Sequence, residues 1–249
     1  MITPEQGRYF LQDSIRQEVD FRETAQSRGL PPPPVEKPYD PAARRVALPQ
    51  RAAWQSIGDI SVVQAIAQRE SRRAYSGTPL TIEELSFLLW ATQGVRAVSR
   101  RFALRTVPSA GARHAFETYL AVLNGTGLDS GLYRYLPLEH ELVFECGDPD
   151  LGAHVARAAL GQSFAAAAAV VFIWTALPAR MEWRYGAASY KVLAIDAGHV
   201  CQNLYLACEA VGAGTCAIAA YDQAAADCLV RVDGQDEFVV YMAPVGKRE

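Results

Sequence analysis

From Ala187 to Val211 the residues Leu193, Ala197, Val200, Leu204, Cys208 and Val211 recur at spacings of four and three. That period predicts a helix of roughly seven turns with one apolar stripe along its whole length. A stripe so long has to be covered, either in the core of one chain or between two copies. Ahead of it, "VVFIWTA" is an apolar run without alternation and reads as a strand buried on both faces. A long core helix beside a fully buried strand requires a mixed architecture with a sizeable core. The length, 249 residues of which half are hydrophobic, supplies one large domain or two small ones.

The remaining pattern places further elements around this pair. Asp59 to Arg69 spaces Ile60, Val63, Ile66 and Ala67 on one helical face. Thr81 and Glu84 form a capping box, Leu80 and Leu85 a hydrophobic staple, and Gly94 a helix stop. Thr118 to Leu123, "GLYRYLP" and "LVFEC" have the character of a β-meander. Asp148 as N-cap with Pro149 at the first helical position predicts a helix to about Leu160. A brief helix near Gln223 to Val230 and a last strand, "FVVYMAPVG", complete the chain.

Residues 1–50 read as a separate arm and residues 51–249 as the domain. The stretch "GLPPPPVEKPYDPAARRVALP" favours extended polyproline and cannot form a core alone, so it is a disordered lead or an arm laid across a partner surface. With a net charge of −3, nothing suggests a chain built to cover nucleic acid. The start, "MITPEQGRYF", lacks a signal pattern, and the apolar run Phe164 to Leu177 is shorter than the roughly 20 residues that span a bilayer, so a soluble, cytoplasmic protein without a membrane partner is expected. Five cysteines without a CxxC pair argue against a disulfide framework and a structural zinc, and no metal is expected.

Chemistry concentrates where the first helical pattern gives out, in "RESRRAY". Arginine supplies forked, charge-assisted donors for a phosphate, and a short hydroxyl such as Ser71 can take a further oxygen. Arg69, Ser71, Arg72 and Arg73 are therefore an anion clamp or a solvated helix end. Arg96, Arg100, Arg101 and Arg105 make a second basic cluster, which either attracts an anionic substrate or is a solvated connection. Asp196 and His199, three apart on the long helix, can share a face and read first as a packing or core hydrogen-bond pair.

Taken in order, R-x-S-x-R, "LLWATQG", "PSAGA", "DAGHVCQNLYLA", "VGAGTCAIAAYD" and a terminal "PVG" resemble the FMN-dependent nitroreductase-like superfamily, over roughly residues 45–246. Within it, "PSAGARHAFETYL", "GLYRY" and "DAGHVCQNL" are most similar to the SagB-type, azoline-dehydrogenase branch. The resemblance implies an α+β fold, a central and mostly antiparallel sheet flanked by helices, working as an intertwined homodimer with FMN at the subunit interface. It implies that Arg69 and Ser71 hold the FMN phosphate and ribityl chain, and that Arg73 reaches the pyrimidine end. Pro108, Ser109, Ala110 and Gly111 would line the flavin ring from the second subunit. Ala219 and Ala220 would face its reactive edge, although Ala220 stands where a glycine is common. Lys247 and Arg248 are phosphate candidates close to the C-terminus.

The branch's Lys-Tyr pair is represented by Arg184 and Tyr185 in "EWRYGAASYK". Arginine stays protonated and is a poor general base, so azoline oxidation is less expected, while Tyr185 retains a proton to supply. What the resemblance implies is an FMN-dependent oxidoreductase for a small-molecule substrate, with NAD(P)H as a candidate reductant. The alternative is a catalytically weak flavin-binding or scaffold subunit of a biosynthetic complex.

Overall fold

The protein is described as a computed structural model over residues 3–54, 57, 59–99, 102–125 and 127–249. Its helices are α1 (Pro4–Leu11), α2 (Ile15–Glu18), α3 (Val62–Gln68), α4 (Ile82–Gln93), α5 (Leu151–Ala158), α6 (Ser163–Ala166), α7 (Ala179–Tyr185), α8 (Ser189–Ala210) and α9 (Gln223–Val230). The strands are β1 (Arg45–Ala47), β2 (Val95–Val98), β3 (Ala103–Arg105), β4 (Phe116–Val122), β5 (Gly131–Leu136), β6 (Glu141–Cys146), β7 (Val170–Ala176), β8 (Ala213–Thr215) and β9 (Phe238–Lys247). Seven strands form an antiparallel sheet in the order β1-β6-β5-β4-β7-β9-β8, and β2 and β3 form a separate ribbon. The architecture is α+β.

The sheet is buried on both faces, and the pleat shows how. In β7, Val170, Phe172 and Trp174 join the core under α4 and α8, whereas Val171 and Ile173 join the core under α5 and α9. β4 repeats the division, with Leu120 and Val122 on the first side and Tyr119 and Ala121 on the second. All six stripe residues of α8, from Leu193 to Val211, lie in the first core. α4 starts on the capping box, Thr81 Oγ1 accepting from Glu84 N at 3.2 Å and Glu84 Oε2 from Thr81 N at 3.0 Å. Leu80 and Leu85, the staple, are buried.

Three expectations change. Asp148 does not cap α5: its carboxylate accepts from Asp150 N and His154 Nδ1, and the helix begins at Leu151 with Asp150 as cap. α3 begins at Val62, behind a Ser61–Gln64 capping box, and its apolar side is turned outward. Only Ala65 is buried, while Val63 and Ile66 are 77% and 59% exposed. The arginine-rich connection is the β2–β3 ribbon; Arg100 and Arg101 lie outside the described residues. Arg105 is not a surface cation, since it is buried and donates to Gln93 Oε1 and Val35 O. Burial lowers its pKa to about 10.

The proline-rich stretch lies across its own chain. Proline backbone offers carbonyls without a matching N–H, so it cannot join a ladder, and here buried arginines supply the donors. Arg180 Nε bonds Pro34 O at 2.8 Å, Arg105 Nη2 bonds Val35 O at 2.9 Å, and Arg134 Nη1 and Nη2 bond Lys37 O and Pro38 O at 2.9 and 3.1 Å. Glu117, also buried, pairs with Arg180 and Arg134, and Lys37 Nζ pairs with the buried Glu237. β1 then pairs with β6.

Candidate functional site

The arginine cluster follows α3 directly, with Arg69 as the helix C-cap. From there the chain runs against the end of β8 and β9. Arg72 N donates to Thr215 O at 3.0 Å, Ser76 N to Lys247 O at 3.0 Å, and Tyr75 Oη to Pro244 O at 3.2 Å. Two motif glycines make this approach possible: a Cβ at Gly214 would fall 2.5 Å from Arg72 Cδ, and one at Gly246 2.6 Å from Tyr75 Cγ. The glycines of "GAGT" and "PVG" thus make room for the arginine loop.

Ser71, Arg72, Arg73 and Arg248 line one depression of about 490 Å³, together with the acidic Glu70 and Glu249. Tyr205 of α8 organises its edge. Its hydroxyl accepts from Ala217 N at 2.8 Å and shares a hydrogen bond with Ser71 Oγ at 3.0 Å, while the Arg69 guanidinium lies 5.4 Å from its ring centre. Arg73 lies 5.8 Å from the ring of Phe164. Among the described residues Arg69 and Arg73 have no carboxylate within ion-pair distance, whereas Arg72 pairs with Glu70 and Arg248 with Glu209. Tyr205 was not singled out from the sequence. The available signal was a tyrosine beside the α8 stripe, whose hydroxyl needs a partner once its ring is covered.

Lys247 is placed elsewhere. Its Nζ donates to Glu84 Oε1 at 2.6 Å and to Val211 O at 2.5 Å, joining the end of β9 to α4 and α8, so its charge is spent on structure. Of the two C-terminal candidates, Arg248 alone lines the depression.

A second group gathers where α7 meets α8. The loop of Pro108, Ser109, Ala110 and Gly111 is tied to Asp196 through Ala110 N at 3.3 Å and the Ser109 side chain. Burial raises the Asp196 pKa despite those bonds, and His199 Nδ1 lies 3.8 Å from its carboxylate. Gly111 has a φ of +59°, and a Cβ there would fall 2.7 Å from Tyr185 Oη and 2.8 Å from Arg184 Cδ. The backbone of Gly111 is therefore packed directly on the Arg184–Tyr185 pair. Asp196 alone serves the loop; His199 is exposed, and 3.8 Å is beyond hydrogen-bond distance.

Within one chain the two groups do not meet. Tyr205 anchors the first and Asp196 the second, nine residues apart on α8, which is about 14 Å along the axis. Ala219 lines a separate cavity with Ala197 and Gly198. Ala220 O accepts from Gln162 Nε2 at 3.0 Å. Ala220 is not among the non-glycine residues with positive φ, so alanine in place of glycine costs no backbone strain there.

Comparison with known proteins gives a consistent picture. A model described as the nitroreductase family matches residues 66–247. A protein of Methanocaldococcus jannaschii named as a nitroreductase is 33% identical over 192 residues, 77% of this chain and 93% of that one. The trifolitoxin-processing protein of Rhizobium leguminosarum bv. trifolii is 34% identical over 112 residues, 43% of this chain but only 30% of its own length. Among solved structures, a nitroreductase from Anabaena variabilis superposes with a TM-score of 0.68 at 27% identity, covering 84% of this chain and 42% of that one. The Escherichia coli microcin synthetase complex McbBCD shares the fold, with a TM-score of 0.62 at 16% identity over 100% of this chain and 98% of that one.

Proposed function

Because the chain belongs to the nitroreductase family, we propose that it is an FMN-dependent oxidoreductase, a cytoplasmic homodimer that passes a hydride between NAD(P)H or an organic donor and a small organic acceptor. The observation that carries this reading is the convergence of Ser71, Arg73 and Arg248 on one depression beside Tyr205. The residues present fit a flavin phosphate: Arg69 and Arg73 make ring contacts and no ion pair among the described residues, while Arg72 is engaged by Glu70 and lies 4.0 Å from Glu209 through its Nε.

In this reading Arg69 and Ser71 hold the phosphate and ribityl chain, Arg248 adds charge at the rim, and Arg73 stands at the pyrimidine end. Bound FMN supplies the ring that accepts and returns the hydride. Pro108 to Gly111, with Arg184 and Tyr185, come from the second copy. The separation of the two groups along α8 and the uncovered apolar side of α3 both favour that assignment. Tyr185 Oη, held against Gly111, is placed to exchange a proton. Arg184, always charged, contributes field rather than base catalysis.

The test is the visible spectrum of the purified protein before and after anaerobic NADPH. Flavin bands that bleach are expected, and Arg69→Ala should lower FMN content at least tenfold. Bands that persist would favour the second reading, a catalytically weak flavin-binding or scaffold subunit of a biosynthetic complex. That reading draws on Arg184 in place of a lysine and on the likeness to a toxin-processing protein. A protein unable to take up FMN would end both.

A further inference from the structure

The cavity beside Ala219 has properties that the fold does not require. It encloses about 480 Å³ and is lined by Leu193, Ala197 and Gly198 of α8, by Tyr241 of β9, and by Phe10 of α1. Among the described residues no Lys, Arg, Asp or Glu lines it. Its tyrosines are neutral, burial pushing the phenols of Tyr221 and Tyr241 up to about 12. Gly198 sits inside α8, where glycine costs about 1 kcal/mol against alanine, yet a Cβ there would touch nothing within 4 Å. The chain's own packing does not call for a glycine at this position, and the lack of a side chain leaves the helix surface flat and open there.

α1 is attached to this cavity lightly. None of its residues is buried, and its helix is held by its own Thr3–Gln6 capping box. Phe10 is 45% exposed although it faces the cavity. The polar tie from this end of the arm to α8 is Asp13–Lys191 at 3.7 Å, and both ends of the next firm anchor are at Trp183, which bonds Gln26 N and Leu30 O. α1 has no buried residue; Tyr9 Oη ties it to Glu18 Oε1 of α2 at 2.6 Å, so the two short helices can lift together, with the Asp13–Lys191 pair to break, at little cost.

We propose that α1 is a lid on this cavity and that Phe10 is the residue that selects what it closes over, a flat, uncharged ring stacked against the Ala197–Gly198 surface. Aromatic walls favour a planar ring, and the absence of any ionised group makes entry of a charged one costly. That the enclosed ring is the electron acceptor rests on the flavin reading, because Ala219 is the residue assigned to the flavin edge; the lid itself does not.

The experiment uses the full-length oxidised protein with naphthol and naphthoate as neutral and anionic probes. Calorimetry measures affinity, and hydrogen exchange locates protection. Naphthol should bind at least tenfold more tightly than naphthoate and slow exchange in α1. Phe10→Ala should weaken naphthol binding about tenfold with unchanged FMN content and circular dichroism, and Phe10→Tyr should restore it. Equal affinity for the two probes, an unaffected Phe10→Ala variant, or protection on α3 instead of α1 would each overturn the lid. Phe10-dependent binding in a protein that holds no FMN would keep the lid and sink the flavin reading. FMN-loaded protein with Phe10-independent binding would do the reverse.

Discussion

Gly111 shows how a single missing side chain positions the second half of the site. Its φ of +59° and the 2.7 Å approach to Tyr185 Oη leave no room for a Cβ. Gly111→Ala should cost about 1–2 kcal/mol from backbone conformation alone and displace Tyr185 as well. Thermal unfolding and the rate of flavin bleaching, measured together, should both fall. A normal rate in a destabilised variant would remove Tyr185 from the chemistry. "PSAGA" was recognisable in the sequence as a tight turn of small residues. Its contact with Arg184 and Tyr185 was not, because more than 70 positions separate them and no local rule links the two.

At the scale of elements, α8 was the most legible and α3 the least. Both carry apolar residues at helical spacing, but only the α8 stripe is covered within one chain. Leu204 is fully buried under it, and Leu204→Ala should destabilise the fold by about 2–5 kcal/mol in urea unfolding. Val63→Ala, on the exposed side of α3, should leave the unfolding of an isolated chain nearly unchanged and weaken self-association, which sedimentation over a concentration series would report. A helix pattern states that a face is apolar, not what covers it.

For the whole molecule, the arm introduces a pH dependence. Glu36 accepts from Leu138 N at 3.1 Å and sits among Glu139, Glu117 and Arg105; burial, followed by the two neighbouring carboxylates, raises its pKa from 4.5 to about 7. The folded state therefore holds this proton more tightly than the unfolded chain. The corresponding stability is fully present below about pH 4.5 and is lost as pH rises through about 7. Glu36→Gln should flatten the decline in denaturation midpoint between pH 5 and 8 and stabilise the protein at the alkaline end. A variant with the wild-type profile would show that the arm does not hold Glu36 as described.

The core elements were determined by the sequence itself, since burial of "VVFIWTA" and of the Leu193 to Val211 stripe follows from local periodicity. The arginine loop was legible for the same reason, as the point where a helical pattern ends in cations and a hydroxyl. The destinations of charges were left to the tertiary structure. Arg105 lies buried under the arm, Lys247 is bound to Glu84, and Arg248 reaches the depression, though all three are basic residues in polar stretches. A cation's role is set by which carbonyls and carboxylates the folded chain brings within about 3 Å of it, and those partners lie far away in sequence.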